Sequence, residues 1–289
     1  MRSTGALGSL SAFVAAAGYG SAFVVARVAY DYGLNAYTLN SLRFLVLVTA
    51  FALWIGVRRG DFRPPPRTLG IILFLGVLMS CSGLSNYGAI AFIPVSLAIL
   101  IFYTYPLVTL ALNSIVERRA PRPADYAAIL CAFVGLALAL EVSLEGLDAR
   151  GVALSLVASL SVSIHMVVSK HALRIASLEI VTLYMSLSAF VLTGSVTLVL
   201  GQLSVPGPGP GLWALAYVIS GFSIAMAAMM TGIRLIGPVQ TAIIMCMEPP
   251  IVIGCAFLLL GEHLTGTQLV GASLVIAGVV LAQRANARR

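Results

Sequence analysis

Apolar residues run along this chain in long uninterrupted stretches, and the polar ones gather in the short gaps between them. An apolar run of about 20 residues is long enough for a helix to cross a bilayer. Ten such runs can be marked, near 5–26, 36–57, 68–89, 94–115, 124–141, 151–170, 178–200, 212–233, 238–260 and 267–284. None shows the strict alternation of a lipid-facing β-strand, so the pattern predicts helices rather than a barrel. The gaps are rich in turn and charge signals: RRGDFRPPPR, ERRAPRPAD, EVSLEGLDAR and the uncharged SVPGPGPG. The expected fold class is therefore all-α integral membrane.

Composition agrees with the pattern. Of the 289 residues 60% are hydrophobic and 9% charged, against about 25% charged in a soluble domain. The net charge of +7 would suit a nucleic-acid binder, but its carriers sit in the gaps and serve membrane topology better. With both termini on one face, fourteen of the seventeen basic residues fall on that face, Arg27 and Arg150 on the other, and Arg43 inside a span. The positive-inside rule then predicts ten spans with both termini cytoplasmic, in the inner membrane of a bacterium whose Arg-rich, Ala-rich composition suggests GC-rich coding. Lipid and a small-molecule substrate are the expected partners, and nucleic acid is not. Cys81, Cys131, Cys246 and Cys255 all lie in apolar runs without ligand spacing, so no metal, cofactor or disulfide framework is expected.

The two halves of the chain correspond. Gly88 stands 144 residues before Gly232, and Pro94 the same distance before Pro238. Pro106 precedes Pro249, and Gly135 precedes Gly278, by 143. The first span thus pairs with the sixth and is read as a structural helix, not a cleaved leader. Five spans per half is an odd number, so the halves, 1–144 and 145–289, must insert in opposite directions. This is the ten-helix inverted repeat of many secondary transporters, with a site near the midplane between repeats, and a functional monomer is compatible with it.

Within the repeats, TYPL of the fourth span matches MEPP of the ninth. Proline deletes a backbone hydrogen bond, so Pro106, Pro249 and Pro250 are expected to kink both spans at one depth and to serve as gating points. Glu248 is the one carboxylate deep in a span. A charge there costs about 3 kcal/mol or more, which makes it a candidate for substrate, proton or kink-fixing work. Gln240 lies eight residues earlier and on a continuous helix would share the Glu248 face. Tyr19, Tyr103 and Tyr105, with Ser85, Asn86 and Tyr87 at the end of the third span, complete a candidate cavity. His165 is a further candidate, as a relay or as a packing histidine. Arg43 is expected to snorkel or to cap a helix end, and Ser155, Ser159 and Ser163 to serve close helix packing.

The stretches GAIAFIPVSLAILIFYTYPLVTLALNSIVERR and GIRLIGPVQTAIIMCMEPPIVIGCAFLLLGEHLT, with TLNSLRFLVL, resemble the EamA-type members of the drug/metabolite transporter superfamily over the whole chain. The resemblance implies two inverted five-helix repeats and export of small metabolites, amino acids or analogues foremost. It also matches Glu117 and Arg118 to Glu262 and His263 at the helix ends. Small multidrug relatives use a carboxylate in their first helix. Neither the first nor the sixth span here carries an acid, which disfavours that route. The alternative substrate is an organic cation or drug held by Glu248 and the aromatic residues. No HExxH, GxSxG or Cys/His arrangement points to an enzyme.

Overall fold

Proline sets the start of many of these helices. It occupies the first turn of the helices that begin at Pro66, Tyr105, Pro123, Pro210 and Pro238, where its missing N–H would have no partner in any case. Other starts are capped by side chains: Asn35 accepts from the Thr38 amide at 2.8 Å, and Asp148 from that of Arg150 at 2.8 Å. The computed structural model describes residues 2–141, 148–260 and 265–287. Glu262 and His263 lie outside the described residues, so their match to Glu117 and Arg118 has no structural counterpart here.

Twelve helices are described, in order α1 (Arg2–Asp31), α2 (Ala36–Val57), α3 (Pro66–Ala89), α4 (Val95–Phe102), α5 (Tyr105–Glu117), α6 (Pro123–Ala139), α7 (Ala149–Ile175), α8 (Leu178–Val199), α9 (Pro210–Ile236), α10 (Pro238–Met245), α11 (Glu248–Leu260) and α12 (Gly266–Ala287). They form ten crossings, because α4 with α5, and α10 with α11, each make one broken span. Nine crossings have membrane length, and α6 is a shorter apolar helix of 17 residues. Several helices run past the apolar windows of the sequence, α1 to Asp31 and α7 to Ile175 among them, since backbone hydrogen bonding continues into the interface.

The connections divide the molecule into two faces. The termini face carries both chain ends and the joints α2–α3, α5–α6, α7–α8 and α9–α10. The far face carries the other joints. There the α1–α2 and α8–α9 connectors are stitched together: Asn35 Nδ2 and Thr38 Oγ1 donate to the Gln202 carbonyl at 2.6 and 2.7 Å, and the Ser204 amide donates to Thr38 Oγ1 at 2.9 Å.

The repeats pack through their equivalents. α2 lies against α8 and α6 against α12, each a helix beside its own mate, while α1 packs on α9 as α7 packs on α3. The α6–α12 crossing is close because glycine lines it. A Cβ on Gly135 would stand 2.6 Å from the Gly271 carbonyl oxygen, and one on Gly278 would stand 2.7 Å from that of Ala128. Such small-residue contacts replace hydrophobic drive in lipid. Buried residues run from Ala12, Ala15 and Ala16 on α1 through Met166, Met226 and Met230 to Ile243 and Ile244 on α10.

Candidate functional site

Both broken spans stop just before their prolines. α4 ends at Phe102, and Tyr103 and Thr104 intervene before α5; α10 ends at Met245, and Cys246 and Met247 intervene before α11. Pro106, Pro249 and Pro250 therefore sit in the first turn of a new helix rather than at a bend within a continuous one. The difference is physical: a proline inside a helix clashes with the turn before it, whereas at the first turn its fixed φ is already correct. Serines of α7 fill the first break. Ser163 Oγ donates to the Tyr105 carbonyl at 3.0 Å, and Thr104 Oγ1 meets Ser159 Oγ at 2.9 Å. Ser163 and Gly20 are repeat mates, and Gly20 faces the second break: a Cβ there would stand 3.0 Å from the Glu248 carbonyl oxygen.

Between the breaks lies a cavity of about 270 Å³. Its lining comes from α1, α2, α3, α4, α5, α7, α9, α10 and α11, together with Leu140 beyond α6. Tyr19, Asn86, Tyr87, Tyr103, Tyr105, Glu248 and Pro249 all line it, so most of the candidates chosen from the sequence are brought together. Phe102, Tyr103 and Tyr105 form an aromatic triad with ring centroids 5.4–5.6 Å apart. Tyr19 and Phe44 each pack on Phe222 at 5.5 Å. Glu248 begins α11 and shares the cavity wall with Tyr103.

Other candidates stand elsewhere. Gln240 does not share the Glu248 face. Its Nε2 donates to Asp125 Oδ1 at 3.2 Å towards the termini face, because the break at Cys246 and Met247 resets the helical register. His165 is fully buried with Nε2 3.1 Å from Met185 Sδ, off the cavity wall. Ser85 pairs loosely with Cys81 at 3.9 Å. Pro106 faces a small void beside Ile129, Ala132 and Phe133, and Pro250 does not line the main cavity.

Arg43 is the lining residue that sequence reasoning placed wrongly. It neither snorkels nor caps; its guanidinium carbon lies 4.4 Å from the Phe222 ring centroid and 5.2 Å from that of Phe44, in the cavity wall. The rule that marked Glu248, an ionisable group within a span, would have marked Arg43 too.

Packed helices close the cavity towards the termini face, and among the described residues the far face has no equivalent layer. α5 packs against α10, whereas their repeat mates, α11 and α4, are not among the packed helix pairs of the described residues. Ala242, Ile243 and Ile244 are buried in that closure, and the Tyr105 hydroxyl reaches the Ala242 carbonyl at 3.5 Å. Further out, Lys170 pairs with Glu117. Arg122 holds Asp125 through two hydrogen bonds of 2.8 and 2.7 Å, and this bonding raises the Arg122 pKa.

Comparison with known proteins agrees with this architecture. No curated protein matches the sequence. Among 29 matching chains of solved structures, one crystal structure, described only as that of a protein, superposes with a TM-score of 0.81. It covers 98% of this chain and 99% of its own length at 18% identity, which establishes a shared fold. The model of the EamA-like transporter family matches twice, over residues 6–140 and 149–283, once per repeat. The chain belongs to the EamA-like transporter family.

Proposed function

We propose that this membrane transporter exports small organic solutes, amino acids or their analogues, by alternating access. The observation that carries the reading is the cavity itself. It lies between the two helix breaks and presents one carboxylate, Glu248, beside an aromatic wall. Half-helix ends at mid-membrane are where transporters of inverted-repeat design hold their cargo. In the proposed orientation the termini are cytoplasmic, in a bacterial inner membrane, and the chain works as a monomer of two repeats divided near residue 144. The closed α5–α10 layer then seals the cytoplasmic side, and the cavity faces outward. Release to the outside fits this state, and a return to cytoplasmic access requires α5 and α10 to part.

A second reading takes Glu248 with Tyr19, Tyr103 and Tyr105 as a cage for an organic cation, since aromatic faces and a carboxylate both favour positive charge. Uptake and efflux of labelled amino acids and choline-type amines in proteoliposomes separates the two, with Glu248→Gln beside the native chain. Amino-acid transport in the native protein supports the first reading. Movement of amines alone, abolished by Glu248→Gln, overturns it in favour of the second.

A further inference from the structure

At the side of the cavity formed by α2 and α3, hydrogen-bonding capacity is left unfilled. Asn40 is wholly buried, and neither its Oδ1 nor its Nδ2 has a partner among the described residues. One turn on, Arg43 Nε is likewise buried and unpartnered, and so is Oδ1 of Asn86 on α3. Among the described residues Arg43 forms no ion pair; Phe222 and Phe44 cover it instead. Asn40 and Arg43 converge on Gly83. A Cβ there would lie 3.3 Å from both amide atoms of Asn40 and 3.5 Å from Arg43 Nη2, so glycine permits their close approach. Arg43, Gly83 and Asn86 all line the same cavity as Glu248.

Buried polar groups without partners are rare in folded chains, and several in one place call for an explanation. Asn40 and Arg43 pack closely on Gly83, but that contact gives Asn40 no hydrogen-bond partner. A lone buried cation on an isolated helix is costly in a membrane, and such groups mark pathways for substrates. Guanidinium offers a planar fork of donors suited to a carboxylate, and the amide of Asn86 can turn its donor towards the same group.

We infer that Arg43 and Asn86, backed by Asn40 across Gly83, form an anion subsite that binds the carboxylate of the substrate. Glu248 then takes the ammonium group, and the cargo is a small zwitterion with its two charges held by opposite repeats. α2 and α3 belong to the first repeat and α11 to the second, so a zwitterion bridges the two bodies that move. This inference rests on the reading of the cavity as the transport site.

The test uses proteoliposomes of the full chain and a panel of labelled amino acids, each paired with the amine left after removal of its carboxylate. The native protein is expected to move at least one amino acid and to take its amine at least tenfold less well. Arg43→Gln should raise the amino-acid KM tenfold or more and narrow that gap, and Arg43→Lys should restore part of it. Gly83→Ala keeps the charge of Arg43 but crowds Asn40 and Arg43, and should raise the same KM by more than that of the amine. Equal loss for acid and amine in every variant, or unchanged KM in Arg43→Gln, overturns the subsite while leaving amino-acid transport standing. If the native chain moves no member of the panel, or only amines, the amino-acid reading fails and the subsite with it.

Discussion

Glycine to alanine should change the stability of this protein in opposite directions at different sites. At Gly135 the new Cβ would meet the Gly271 carbonyl oxygen at 2.6 Å and the Val275 amide nitrogen at 2.7 Å. Ordinary contact begins near 3.4 Å, so α6 and α12 must part by about 0.8 Å. Both obstacles are backbone atoms, which cannot rotate away. Overpacking of this kind costs about 1–3 kcal/mol, and about 2–4 °C of melting midpoint accompanies each kcal/mol in a chain of comparable size. Gly135→Ala should therefore lower the midpoint by about 2–12 °C. Gly278→Ala should do much the same, since its Cβ would lie 2.7 Å from the Ala128 oxygen and 3.0 Å from the Ala132 nitrogen. At Gly70 and Gly254 nothing lies within 4 Å, and both are helical. There alanine only removes the backbone entropy penalty, about 1 kcal/mol in favour of the helix, and the midpoint should hold or rise. The assay is thermal denaturation in detergent followed by size-exclusion chromatography. If Gly135→Ala and Gly278→Ala are as stable as Gly70→Ala and Gly254→Ala, the close crossing of α6 and α12 is refuted.

Two further outcomes follow from the closed face and the first break. Asp125→Asn removes the charge of a nearly buried partner of Arg122 and Gln240 and should cost about 1–3 kcal/mol, seen as a lower midpoint, whereas Asp148→Asn breaks an exposed pair with Arg150 and should leave the midpoint unchanged. Pro106→Ala restores an amide that lets α4 run on into α5, so it should slow transport in proteoliposomes several-fold while the melting midpoint stays within a few degrees; unchanged transport would remove the break from the mechanism.

The ten crossings were readable because each apolar window is separated from the next by charges, prolines or glycines, as at RRGDFRPPPR. The repeat was readable because Pro94, Pro106, Pro238 and Pro249 constrain backbone and tolerate few neighbours. Side-chain direction was harder. Extending one helical period from Gln240 to Glu248 assumed an unbroken helix, and two non-helical residues sufficed to turn Gln240 towards Asp125. His165 lies on α7, which packs on α3, α4, α5, α8, α9 and α10 and has few faces left for lipid or cavity. Where a helix is surrounded, hydrophobic periodicity no longer indicates which side matters. Arg43 was misplaced for another reason: its distance from the helix start suggested snorkelling, but Phe44 and Phe222 hold the guanidinium in the cavity wall.

The repeats have matched sequences but not fully matched surroundings, and the broken spans carry part of the mismatch. α6 with α12, and α2 with α8, obey the internal twofold, while α10 packs on α5 and α6 and its mate α4 packs on neither α11 nor α12 among the described residues. Alternating access, as proposed above, would exchange these surroundings: α4 would close on α11 and α12 at the far face, and α10 would leave α5 and α6. The bond between Gln240 and Asp125 then has a counterpart. Repeat offsets of 144 and 143 map these residues onto Ser96 and Gln268, and Gln268 now turns to Thr265 instead. Cysteines at Asp125 and Gln240 should cross-link readily in the resting protein and lock the cavity open to the far face. Cysteines at Ser96 and Gln268 should cross-link slowly, faster while substrate is being transported, and should lock it open to the termini face. Equal cross-linking of both pairs at rest would mean that the asymmetry is not a conformational state. No cross-link at Ser96 and Gln268 during turnover would mean that the repeats do not exchange roles.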